Sequence, residues 1–115
     1  MIRAVQIGVS GKPELIMLPD PGKDGWKAFW ADIGDRIEVS VQNWITPHLH
    51  CLRGEPVGES GPVCQIEGKD VFAPSILVGT VWNDQNESEA VGLTDNQVRN
   101  IYQALGEECP VKEEE

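Results

Sequence analysis

Basic residues are scarce in this sequence. Nine Lys and Arg stand against nineteen Asp and Glu, a formal charge of −10 over 115 residues. Phosphate backbones and anionic headgroups are held through Lys and Arg, so duplex DNA and membrane surfaces are not expected partners. Histidine is scarcer still, with two residues, and the three cysteines are odd in number and irregular in spacing. Such a set makes no disulfide framework, and it points to free thiols in a reducing cytoplasm. No apolar run approaches the ~18 residues that would span a bilayer, and the opening "MIRAVQIGVSGKPELIML" has no apolar secretion segment. Aromatic residues are few at 6%, yet four of them are tryptophan. The apolar fraction of 40% still suffices for one globular domain, since a chain this long buries roughly 60–70% of its unfolded surface.

Catalytic motifs are missing too. The sequence has no nucleophile elbow, no G-x-x-x-x-G-K-S/T loop and no G-x-G-x-x-G following a strand. "GVSGKP" is too short for a phosphate loop, and Pro13 removes an amide where a helix would have to begin. Glu55, Glu59, Glu67 and Asp70 are carboxylates in loops of an acidic chain and do not single out an acid–base pair. An enzyme is therefore not expected, nor is a cofactor.

The patterning that is present predicts a fold. "AVQIGV" (4–9) and "ELIML" (14–18) flank the turn "SGKP" as a hairpin. "DGWKAFWADI" places Trp26, Phe29, Trp30 and Ile33 on one helical stripe, with Asp24 as N-cap, Gly34 as stop and the aromatics in the core. "RIEVSVQ" alternates, with Ile37, Val39 and Val41 on one face and Arg36, Glu38, Ser40 and Gln42 on the other. Weaker strands are expected at 48–53 and 63–67, a central strand at "SILVGTVW" (75–82), and a polar loop at "NDQNESE". In "LTDNQVRNIYQALG", Thr94 and Gln97 form a capping box and Gly106 ends a helix with Val98, Ile101, Tyr102 and Leu105 inward. The expected class is α+β: one domain over 1–106, a mostly antiparallel sheet with two helices packed on it, and an acidic disordered tail over 107–115. That tail carries five Glu and one Lys, −4, leaving −6 on residues 1–106.

Two clusters are candidate sites. "PHLHC" gathers His48, His50 and Cys51, with Cys64 thirteen residues on. Zinc needs about four converging ligands. On a strand, His48 and His50 share one face while Cys51 takes the other, so no metal site is expected. The second cluster is for ligand binding. Trp44 and Trp82 sit where strands meet polar loops and offer indole faces for stacking, and Arg36 and Arg53 are placed to clamp phosphate, with Arg99 in reserve. The acidity allows a different use, in which carboxylates of 84–95 or of the tail dock on a basic protein surface.

Read in order, "GKPELIMLPD", "IGDRIEVS", "CLRGEPVG", "ILVGTVW" and "GLTDNQV" resemble a small family of bacteriophages and mobile elements, domain of unknown function 3846. The resemblance covers about residues 1–105. Where that family has Gly-Gly-Tyr this chain has Gly34-Asp35-Arg36, and Leu52-Arg53-Gly54-Glu55 replaces an Asn-Glu-Glu-Gly turn. "NWITPHLHC" falls where the family varies. The resemblance implies a phage or plasmid setting. In that setting the expectation is a counter-defence protein of the host cytoplasm, without catalysis. It would act as a sponge for a nucleotide immune signal, or as an acidic inhibitor of a host defence protein, and as a homo-oligomer if the pocket lies at an interface.

Overall fold

The computed structural model describes residues 1–22, 25–54 and 61–111. Its elements in chain order are β1 (Ile2–Ile7), β2 (Pro13–Leu18), α1 (Trp26–Arg36), β3 (Val39–Thr46), β4 (Leu49–Gly54), β5 (Cys64–Ile66), β6 (Lys69–Val71), β7 (Ser75–Trp82), β8 (Ser88–Val91) and α2 (Asp95–Ala104). The sheet runs β2-β1-β7-β4-β3 with every pairing antiparallel, and β5–β6 forms a separate hairpin. The α+β expectation, one domain with a mostly antiparallel sheet and two helices, holds.

Alternation along the central strands divides the core in two. Val5, Ile7, Leu49, Cys51 and Leu77 face α2 and the β5–β6 hairpin, where they meet Val98, Ile101 and Tyr102. Ala4, Leu52, Ile76 and Val78 face α1, where Phe29, Ile33 and Ile37 close the other layer. The sheet is therefore covered on both faces, and β7 is apolar from Ile76 to Val78 because it packs on both sides.

At its centre β7 changes partner. Ser75–Leu77 pair with β1, and Gly79–Trp82 pair with β8. A Cβ on Gly79 would meet the Gly92 and Val91 carbonyl oxygens at 3.0 and 3.1 Å, so only glycine lets the two backbones cross there. Leu93 N–H then donates to Arg3 O at 2.9 Å, and Arg3 reaches Asp95 at 2.8 Å, tying β1 to the start of α2. The capping box of α2 forms as expected, with Gln97 N–H donating to Thr94 Oγ1 at 3.1 Å and Thr94 N–H to Gln97 Oε1 at 2.9 Å.

Several expectations are corrected. Helix α1 does not stop at Gly34 but runs to Arg36, because Ile33 and Ile37 both reach the core and Asp32 pairs with Arg36 at 3.0 Å. Arg36 is thus a helix residue, not a strand residue. The alternation of 37–41 breaks at a β-bulge between Val39 and Val41, which leaves Val41 exposed. Trp26 and Trp30 are not core: the four apolar residues of the stripe span an arc of about 100°, and the sheet meets only its Phe29–Ile33 side. His48 lies in the turn before β4 rather than beside His50 on the strand. Polar residues 88–89 belong to β8, entered through a turn in which Asn83 Oδ1 accepts from the Gln85 and Glu87 amides. Strand β6 pairs with β5 across Glu67 and Gly68, both at positive φ. Residues 107–111, expected as the start of a disordered tail, place Cys109 and Val111 against the α2-side core. The expected N-cap Asp24, the carboxylates Glu55 and Glu59 and the end of the tail lie outside the described residues.

Candidate binding groove

The β3–β4 pairing sets Trp44 opposite His50, and their rings stack at 4.1 Å and 18°. Trp82 closes the group from β7, its ring 5.3 Å from Trp44 and tilted by 46°. Its indole N–H donates to Pro47 O at 2.5 Å, which locks the ring onto the β3–β4 turn. The turn itself is held by His48: its amide donates to Thr46 Oγ1 at 3.1 Å, and Nδ1 lies 3.1 Å from Thr80 O. Gln97 Nε2 donates to His48 O at 3.0 Å from the far layer. His48 is a turn-fixing residue.

Beside this group, α1 stands off from the end of the sheet and leaves a groove. Its inner part, about 280 Å³, has Trp30 and Phe29 on the helix side, His50 and Val78 beneath, and Glu89 and Ala90 from β8. Its outer part, about 360 Å³, is lined by Trp26 and Trp82 together with Glu87 and Glu89. Pro21, Ser88 and Glu89 line both parts, which therefore adjoin. All four tryptophans of the chain are half exposed here or just behind the wall: Trp26 at 53%, Trp30 at 38%, Trp44 at 38% and Trp82 at 42%. An indole is a large apolar surface, and leaving four of them partly in water forgoes burial energy that this small core would otherwise use.

The electrostatics have one sign. Glu87 and Glu89 are the charged side chains among the described residues lining the groove, and no Lys or Arg accompanies them. A cation does approach the rim, where Lys27 Nζ lies 5.6 Å from the Trp26 ring centre. Burial of His50 disfavours its charged form and holds its pKa below the ordinary 6.5, so the ring in the groove floor is neutral at pH 7.

Of the four residues expected to bind ligand, Trp44 and Trp82 come together and the two arginines lie elsewhere. Arg36 sits at the C-terminal end of α1, paired with Asp32 and 3.3 Å from Gln6 Oε1. Arg53 shares the parity of Leu49 and Cys51, hence the α2 face, and lies over the Phe72 ring at 4.0 Å. Arg99 bonds Asn96 on its own helix. The cysteines are no closer to a site. Cys51 is buried in the α2-side core with its thiol pushed up to about 11 by desolvation, and burial raises Cys64 as well. Among the described residues no three His, Cys, Asp or Glu side chains are grouped to hold a metal, and no helix is long and apolar enough to cross a membrane.

Trp26 and Trp30 were not expected in a site, whereas Glu87 and Glu89 fall within the carboxylates of 84–95 expected to dock on a basic surface. One signal was available: Trp26 opens its helix shortly after the Pro21-Gly22 pair. Nothing in "NDQNESE" distinguishes two groove carboxylates from loop acids. The chain matches no protein-family model, no curated protein and no solved structure.

Proposed function

We propose that this chain is a non-catalytic binding protein that acts by occupying a partner through the tryptophan groove. The observation that carries this reading is the set of four half-exposed tryptophans gathered at one end of one sheet face. Rigid aromatic surface of this kind contributes contact area at little entropic cost. Ser88 and His50 line the same groove, but among the described residues no hydrogen bond joins them, so the hydroxyl has no base in contact to activate it. The resemblance to phage and mobile-element proteins supports a counter-defence setting in the host cell.

Two partners compete in that setting, a nucleotide immune signal and a basic surface on a defence protein. The Trp44–Trp82 pair favours the nucleotide, because bases stack on indoles. The rest of the groove favours the basic surface, because a phosphate would meet Glu87 and Glu89 with neither Arg36 nor Arg53 at hand. The basic surface is the better-supported reading. Incubation with cyclic and ADP-ribose-type nucleotides, followed by heat release, tests it. No change in melting temperature is expected; a rise with intact ligand recovered would establish the sponge instead, and altered ligand would overturn the non-catalytic reading.

A further inference from the structure

We infer that the groove takes a guanidinium group: an arginine side chain on a basic segment of a partner protein. The inference rests on the groove being the binding surface and names what enters it. A guanidinium is planar, weakly hydrated and permanently charged. It therefore stacks on indole faces and meets a carboxylate through paired N–H donors. The groove supplies both complements side by side. Half-exposed Trp30 lines the inner part from α1, half-exposed Trp26 and Trp82 line the outer part from α1 and β7, and Glu89 lines both. In the β7–β8 ladder Ser88 pairs with Trp82 and shares its face, and Glu89, the next residue on the edge strand, pairs with Val81.

Alternative occupants fit less well. An anion meets two glutamates and a neutral histidine. A purely apolar segment would cover Glu89, which has no ion-pair partner among the described residues, and would pay its desolvation. Lysine carries the right charge, but a hydrated ammonium gains less from stacking. Volumes of about 280 and 360 Å³ hold single side chains rather than a folded element. The net charge of −10 draws basic partners toward the whole molecule. Lys27 already approaches the face of Trp26 and is the resident competitor at the rim.

The test is titration of the full chain with three short peptides that differ at two positions, arginine, lysine or the neutral isostere citrulline, followed by tryptophan emission. The arginine peptide should quench saturably, the lysine peptide bind several-fold more weakly, and the citrulline peptide not bind. Glu89→Gln and Trp30→Ala should each weaken the arginine peptide about fivefold. Lys27→Ala should strengthen it. Glu14→Gln, on the distant β2 edge, removes the same charge and should change affinity less than about twofold; a loss equal to that of Glu89→Gln would reduce the effect to bulk charge and overturn the site. Melting temperatures of all variants separate lost binding from lost fold, and Glu89→Gln, an exposed substitution, serves should Trp30→Ala unfold. Equal binding of arginine and citrulline peptides, or none by either, overturns the guanidinium inference. If a nucleotide quenches the same tryptophans instead, the groove reading survives that failure; if nothing quenches them, both fall.

Discussion

At Trp82 and Phe29 the same kind of substitution tests opposite roles. Phe29 is 3% exposed beneath α1, whereas Trp82 and Trp44 are 42% and 38% exposed. Phe29→Ala should cost ~3–5 kcal/mol as a core deletion. Trp82→Ala and Trp44→Ala should each cost ~1–2 kcal/mol, about half the transfer energy of a fully buried aromatic, with the Pro47 carbonyl released to water. Urea denaturation of the three variants decides; tryptophan losses as large as that of Phe29 would make the indoles core and withdraw the groove. His50 gives a pH-dependent counterpart. Its folded pKa lies below 6.5 because burial penalises the cation, so the unfolded chain takes up the proton first as pH falls. Its contribution is complete above 6.5 and is lost as pH drops toward the lower folded value, at a slope of at most ~1.4 kcal/mol per pH unit. His50→Phe keeps a ring against Trp44 and binds no proton. Between about pH 7.5 and 5.5 its stability should fall less than that of the parent, and parallel decline would clear His50 as the cause.

Helix α1 shows how an element overrides its local signals. Gly34 is an exposed helical residue whose added Cβ would meet nothing within 4 Å. Gly34→Ala should therefore stabilise the protein by roughly 0.5–1 kcal/mol, read as a higher denaturation midpoint. An unchanged or lower midpoint would mean that the helix is already frayed before Gly34. Signals carried by a few neighbouring residues were legible in the sequence: the β1–β2 hairpin, the apolar run of β7 and the capping box of α2. Features decided by distant partners were not. The bulge at Ser40 follows from the β3 register against Gly54 and Arg53, and it turned Val41 outward. The polar β8 is a strand because β7 offers it an edge beyond β1. Half of the candidate site was legible in the same way. Trp44 and Trp82 meet across β4, the one strand between β3 and β7, whereas Arg36 left its expected strand when α1 lengthened, and Arg53 fell on the other face by parity. Trp26 and Trp30 read as core because helical periodicity reports which residues share a stripe, and not how wide a surface waits to cover it.

For the molecule as a whole, the field and the groove act on different rate constants. Nineteen acidic against nine basic residues give a long-range attraction for any basic partner, and such attraction raises association rates by roughly ten- to a thousandfold at low salt. It is screened over about 8 Å at physiological ionic strength. Indole stacking and the Glu89 contact act at van der Waals range and resist dissociation. Raising salt from about 0.05 to 0.5 M should thus lower the association rate of an arginine-bearing partner at least tenfold, while the dissociation rate changes about twofold or less. Glu87→Gln with Glu89→Gln should reverse the pattern, speeding dissociation more than it slows association. Truncation after Val111 removes three Glu and one Lys, two net charges of ten, and spares Cys109 and Val111 against the core. It should slow association slightly and leave dissociation unchanged. Stopped-flow tryptophan emission measures all three. A dissociation rate that climbs with salt as steeply as association falls would place the binding energy in exposed charge and leave the tryptophans as bystanders.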